Sequence, residues 1–197
     1  MTNNREKLRQ YYISNISLIA QTVFPIIVSI IFFSDIIVSL CFDSRYNDLA
    51  MIISILSICA LFQSVTALVG NMYIIANKTK VMFKVTVVLF IVQGLILLLG
   101  ANSNNIFLFS LSYTCAYIFV NFPISNYFAL QPFNISILDL LKKMLYPAIF
   151  SILILGSIEL VINKFDFNII VNIVIIATGL ALVYSIVNKK IQNFLGF

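Results

Sequence analysis

Six long runs of apolar residues follow one another along the 197-residue chain, separated by short segments that hold the charges and turn residues. A helix needs about 20 apolar residues to cross the roughly 30 Å hydrocarbon core of a bilayer. None of the runs shows the alternation of a barrel strand, and backbone groups in lipid must be hydrogen-bonded within their own segment. The pattern therefore predicts six membrane-spanning helices, at residues 16–34, 49–75, 81–99, 106–128, 144–162 and 168–187.

Composition agrees with this pattern. The chain is 61% hydrophobic and only 10% charged, whereas about 25% of the residues of an ordinary soluble domain are charged. We therefore predict an all-α fold, a polytopic bundle that forms one transmembrane domain over residues 1–197 in a multi-pass membrane protein.

The basic residues fall almost entirely on alternate connections. Ten of the twelve lie on one side of the predicted membrane: Arg5, Lys7, Arg9, Lys78, Lys80, Lys84, Lys142, Lys143, Lys189 and Lys190. The other side has Arg45 and Lys164, with Asp35, Asp43, Asp48, Glu159 and Asp166. Positive residues stay in the cytoplasm, so both termini are predicted to be cytoplasmic. The net charge of +5 is explained by these cytoplasmic basic clusters, and we do not expect a surface that binds nucleic acid.

Polar side chains inside the runs are uncharged amides and hydroxyls. Gln63, Thr66 and Asn71 share one stripe of the second span, which makes Gln63 and Asn71 candidates for lining a substrate cavity; hydrogen bonding between helices is the alternative. Lys78, Lys80 and Lys84 are candidates for binding a phosphate or an anionic headgroup, although topology alone would also place them there.

A proline interrupts the first span near its middle. Pro25 removes the hydrogen bond to the carbonyl of Gln21 and favours a kink. We expect the side chains of Gln21 and Thr22 to satisfy the freed group, which makes Pro25 and Gln21 a candidate conformational hinge. Asp35 is expected at the outer interface, where Ile36 to Phe42 continue as an apolar segment.

Several kinds of chemistry have no sequence signal. The chain has no histidine, and its three cysteines, Cys41, Cys59 and Cys115, lack C-x-x-C spacing. The string GxxxxGK[ST] of a phosphate-binding loop is also missing. We therefore predict no metal site, no cofactor and no enzymatic activity, and expect any energy input to come from a gradient or a partner.

Several short strings carry a family resemblance. REKLRQYY, FPII, SDIIVSLCF and ANKTK make the chain resemble the carboxy-terminal half of bacterial polysaccharide-repeat (O-antigen type) flippases. These form the polysaccharide transport family of the multidrug/oligosaccharidyl-lipid/polysaccharide exporter superfamily. The resemblance is good over about the first 90 residues, where Asp43 and Asn77 replace glycines. Asn77 is expected to adopt the same left-handed backbone.

The resemblance implies a function in the bacterial cytoplasmic (inner) membrane. Members of the family translocate undecaprenyl-diphosphate-linked oligosaccharides with two helical bundles, whereas six spans correspond to the last six helices of a member. Because alternating access needs two bundles, a missing amino-terminal bundle or a second polypeptide is an implied partner. The alternatives are the six-helix permease of an ATP-driven polysaccharide exporter and a membrane enzyme of polysaccharide assembly.

Overall fold

The computed structural model describes the backbone of residues 2–165 and 168–195 and the side chains of residues 6–43, 45–165 and 168–186. In this part of the chain the regular structure is entirely helical. Its elements are α1 (Thr2–Phe32), α2 (Ser34–Cys41), α3 (Leu49–Thr66), α4 (Val69–Ile75), α5 (Thr79–Ala101), α6 (Ile106–Ala116), a π-helix (Tyr117–Asn121), α7 (Phe122–Leu130), α8 (Ile137–Phe165) and α9 (Ile169–Leu195), with short 3₁₀ turns at Ser44–Tyr46 and Gln131–Phe133.

Six segments of the described chain are long and apolar enough to cross a membrane. They are Glu6–Phe32, Leu49–Ile75, Thr79–Ala101, Ile106–Phe133, Ile137–Phe165 and Ile169–Ile186. The predicted all-α fold with six candidate spans is therefore confirmed. The predicted cytoplasmic location of the two termini stays a prediction.

Several helix ends lie beyond the predicted spans, whereas the predicted end of the first span at residue 34 is wrong, because α1 ends at Phe32 and Ser34 begins α2. α1 already begins at Thr2, because hydropathy marks the part of a helix that prefers lipid and not the residue at which the helix starts. α8 begins at Ile137, seven residues earlier than the predicted fifth span. Its start is a capping box: the Ser136 hydroxyl accepts from the Asp139 N–H (3.1 Å), and the Asp139 carboxylate accepts from the Ser136 N–H (3.4 Å).

The second span is broken into α3 and α4. The hydroxyls of Ser64 and Thr66 donate to the carbonyls of Leu61 (2.8 Å) and Phe62 (2.9 Å), a type of bond that often bends helices. Gly70 then weakens the next turn. The N–H of Asn71 reaches the carbonyl of Leu68, three residues back, instead of the residue four back. The last turns of this span therefore form a separate helix that packs on α5 and α7.

The fourth span contains a π-helical turn. The N–H of Phe122 donates to the carbonyl of Tyr117, five residues back. Pro123 follows directly and has no N–H to continue the regular ladder. The proline accounts for the local change from the α-helical to the π-helical pattern, which the apolar pattern of the sequence does not reveal.

α1 lies at the centre of the bundle and packs on α3, α8 and α9. One half of α1 belongs to an apolar cluster with residues of α3, α4, α7 and α8: Tyr12, Ile16, Ala20, Phe24, Val65, Val69, Met72, Leu130, Leu140 and Met144. Its other half packs on α8 and α9 through Val28, Leu155 and Val183. α5, by contrast, lies at the edge and exposes large apolar side chains such as Phe83 and Phe90, as expected of a lipid-facing helix.

Candidate functional site

One end of the bundle collects most of the basic side chains. We call the start of α1, the α4–α5 turn and the start of α8 the basic end. Arg9 of α1 joins Asp139 of α8 there, with 3.4 Å between guanidinium Nη2 and carboxylate Oδ2. Its described basic residues are Lys7, Arg9, Lys78, Lys80, Lys84, Lys142 and Lys143. The side chains of Arg5, Lys189 and Lys190, and on the opposite side Asp166, lie outside the described residues.

A groove with a volume of about 310 Å³ lies between α1 and α4 at the basic end. We call it the α1–α4 groove. α1 contributes Leu8, Tyr11, Tyr12 and Asn15, and the other wall is formed by Leu68, Asn71, Met72, Ile74 and Ile75. Asn15 and Asn71 contribute side-chain amides, and the other residues that line the groove are apolar or aromatic. Such a lining suits a ligand with an apolar body and a few polar atoms.

Tyr12 is the most unusual residue of the groove. It is only 4% exposed, and its hydroxyl has no hydrogen-bond partner among the described side chains and backbone. A buried hydroxyl without a partner is unfavourable by about 1–3 kcal/mol. Within the described part of the fold, the Tyr12 hydroxyl is therefore free to hydrogen-bond to another molecule.

The three candidate lysines lie at the α4–α5 turn and in the first two turns of α5, and none of them lines the groove. Lys78 is half-buried, while Lys80 and Lys84 are exposed. The preceding Asn77 has φ 53°, which confirms its expected left-handed backbone. With Asn77 in this conformation, the N–H of Lys78 reaches the carbonyl of Tyr73 at 2.8 Å, so Lys78 follows directly on the end of α4.

The structure separates the two amides that the sequence groups together. Asn71 lines the α1–α4 groove, whereas Gln63 in α3 donates from Nε2 to the Tyr113 hydroxyl of α6 at 3.2 Å. The break between α3 and α4 interrupts the stripe on which both were placed. Gln63 thus has the interhelical bond that the sequence left as its alternative, and a contact of Gln63 with substrate stays a prediction.

A second interhelical bond joins the fourth span to α5. The amide of Asn121, in the π-helix, donates to the side-chain oxygen of Gln93 in α5. Thr114 of α6 also donates to the carbonyl of Ile55 in α3, at 3.2 Å. Polar side chains within these spans therefore join neighbouring helices.

The surroundings of Pro25 differ from the expectation. α1 continues through Pro25, which is buried. Gln21 donates to the Ser17 hydroxyl (3.3 Å) and Thr22 to the Leu18 carbonyl (2.9 Å). Side chains on a helix point toward the preceding turn, so the Gln21 amide and the Thr22 hydroxyl lie away from the Gln21 carbonyl that Pro25 frees.

Tyr184 of α9 contacts α1 at this level, at the carbonyl next to the one that Pro25 frees. Its hydroxyl donates to the carbonyl of Thr22, with 2.5 Å between the two oxygens. The sequence carries no local signal for this contact, because the contact depends on the packing of α9 against α1. The hinge function of Pro25 and Gln21 stays a prediction.

The opposite end of the bundle holds the acidic side chains. Asp35 is exposed at the start of α2, and Glu159 of α8 is half-buried. A hydroxyl contact fixes the connection there: Ser34 and Ser54 lie 2.8 Å apart, and Ser54 donates to the Ile31 carbonyl at 3.0 Å. Within the described residues, no group of three or more His, Cys, Asp or Glu side chains is placed to hold a metal ion.

Comparison of the chain with protein-family models, curated proteins and solved structures finds no match. The resemblance to polysaccharide-repeat flippases therefore rests on the strings quoted above. Sequence reasoning did not identify the Arg9–Asp139 pair or the unpartnered Tyr12 hydroxyl. The spacing of Ser136 and Asp139 is that of a capping box and indicates a helix start. It does not indicate that Asp139 contacts Arg9, which is distant in the sequence.

Proposed function

We propose that the chain is a component of a transporter that moves undecaprenyl-diphosphate-linked oligosaccharides across the bacterial cytoplasmic membrane. The substrate class comes from the family resemblance. The observation that supports transport is the position of α1, the central helix, which contains a buried proline seven residues before its end.

α1 combines two properties that a moving transporter helix needs. It packs on α3, α8 and α9, so a change in its shape would act on three other spans. At Pro25 it lacks one hydrogen bond of the helical ladder, which lowers the cost of bending at that point. Bending at Pro25 would move the basic end relative to the opposite end.

The transporter on this proposal contains a second bundle. Alternating access is the rocking of one bundle against another around a shared substrate site near the bilayer midplane. This chain supplies one bundle, with its basic end in the cytoplasm where the diphosphate of the substrate starts. An amino-terminal bundle or a separate polypeptide supplies the other.

The proposal is tested in the cell that produces the protein, where any second bundle is present. We expect deletion of the coding sequence to abolish surface polysaccharide and to cause accumulation of the lipid-linked repeat unit. Wild-type protein should restore export, and Pro25→Ala, which returns the missing N–H, should restore it several-fold less well at equal membrane abundance.

Pro132→Ala, in the 3₁₀ turn after α7, is the matched control and should export normally. Normal surface polysaccharide in the deletion strain would exclude the transport function. Normal export by Pro25→Ala would exclude the hinge while leaving transport intact.

A further inference from the structure

The size of the α1–α4 groove limits what it can hold. Binding pockets for small molecules measure about 300–1,000 Å³, so a groove of about 310 Å³ lies at the lower limit. It can take a segment of one apolar chain and not a whole lipid. The rest of such a ligand would remain in the bilayer, next to the two helices.

The charges at the rim favour an anion. Lys7 lies one turn before Tyr11 on the same face of α1. Lys78 lies in the turn directly after α4, three positions after the groove residue Ile75. The basic end has seven basic side chains and two acidic ones, Glu6 and Asp139, among those described, and Asp139 is paired with Arg9. A phosphate that approaches this rim meets a net positive field.

Tyr12 and Asn71 provide hydrogen-bonding groups along the same groove. The Tyr12 hydroxyl is buried and has no partner among the described residues. Asn71 lines the groove and is exposed, so its amide can donate to an oxygen of a ligand. An ester or phosphate oxygen can accept a hydrogen bond from Asn71 directly, and from the buried Tyr12 hydroxyl once the bound ligand widens the groove at that residue.

From this combination we infer that the α1–α4 groove binds an anionic phospholipid, with one acyl chain against Leu68 and Met72 and the phosphate beside Lys7 and Lys78. Basic pockets between membrane helices on the cytoplasmic side are typical sites for anionic headgroups. The site is independent of the transport proposal, because it concerns a membrane lipid and not the transported substrate.

The test uses the purified full chain in nanodiscs of phosphatidylcholine, with or without phosphatidylglycerol. Native mass spectrometry should detect phosphatidylglycerol retained on the protein, and the lipid should raise the melting temperature. Asn71→Trp, which fills the groove, should abolish both effects, and Lys78→Gln should weaken retention. Phe90→Trp on the lipid-facing side of α5 and Lys142→Gln on α8 are the matched controls, because both side chains are exposed and neither lines the groove.

Tyr12→Phe separates a ligand contact from a merely unpaired hydroxyl. In phosphatidylcholine alone the variant should melt at the same or a higher temperature than the wild type, because it loses an unsatisfied polar atom. Its affinity for phosphatidylglycerol should fall about fivefold, the effect of one lost hydrogen bond. Unchanged affinity would remove Tyr12 from the site.

Other occupants are distinguished in the same assay. Equal phosphatidylglycerol retention by Asn71→Trp and Phe90→Trp would overturn the inference. Preferential retention of undecaprenyl phosphate would overturn the assignment to a phospholipid, and an equal effect of inorganic phosphate would show that the apolar wall does not contribute. None of these readouts depends on export, so the transport proposal can fail while this site stands.

Discussion

Among single residues, Arg9 and Asp139 make the contact that joins the starts of two distant spans. Each side chain is about one-third exposed, at 35% and 34%, and their charged atoms lie 3.4 Å apart. Asp139 also caps α8 through the Ser136 N–H. Because Asn can accept the same capping bond, the charge pair can be removed while the cap stays.

A double-mutant cycle with Arg9→Gln and Asp139→Asn isolates this pair. Both side chains are about one-third exposed, which limits the coupling energy of the pair to about 0.5 kcal/mol, since partly solvated ion pairs are weak. SDS titration of the purified protein should therefore give a double variant that loses less unfolding free energy than the sum of the two single variants. Strict additivity would show that the two charges do not interact.

At the level of elements, hydropathy was enough to find the six candidate spans of the described residues, because a helix in the hydrocarbon core needs about 20 apolar side chains in a row. The interruptions within spans were not predicted. The break at Ala67 and Leu68 depends on Ser64 and Thr66 bonding to backbone carbonyls, and the π-helix depends on how Pro123 is accommodated. In both places a local hydrogen-bonding feature changes the backbone while the spacing of apolar residues stays the same.

The contact between α8 and α9 is close at Gly179. A Cβ at Gly179 of α9 would collide with Cδ1 of Ile158 and would lie 3.7 Å from Leu155 Cδ2. Gly179→Val should reduce the free energy of unfolding by about 1 kcal/mol, the lower end of the usual cost of overpacking, because the Ile158 terminal methyl can turn away. SDS titration measures this loss, and the second substitution Ile158→Ala should recover part of it.

Gly94→Val in α5 is the control for Gly179→Val. A Cβ at Gly94 meets no atom within 4 Å, so this variant should change stability only by the intrinsic helix preference of the two residue types. Equal losses for both variants would mean that close packing of α9 on α8 does not limit the size of residue 179.

On the scale of the whole molecule, α1 connects two chemically different ends. Its start belongs to the basic end through Arg9, and near its other end the Ile31 carbonyl accepts from Ser54. The positive-inside pattern predicted such a division from sequence alone. The α1–α4 groove could not be predicted, because Tyr12 and Asn71 are far apart in sequence and meet only when α1 packs beside α4.

Transport of a lipid-linked oligosaccharide is the central claim and is tested most directly by the leaflet that the substrate occupies. Inverted membrane vesicles from producing cells expose their cytoplasmic leaflet to the medium. Undecaprenyl-diphosphate-linked oligosaccharide incorporated into that leaflet should become protected from an added glycosidase with time. Vesicles from the deletion strain should show no such protection, and those with Pro25→Ala should show slower protection. Equal protection in wild-type and deletion vesicles would contradict the proposed function.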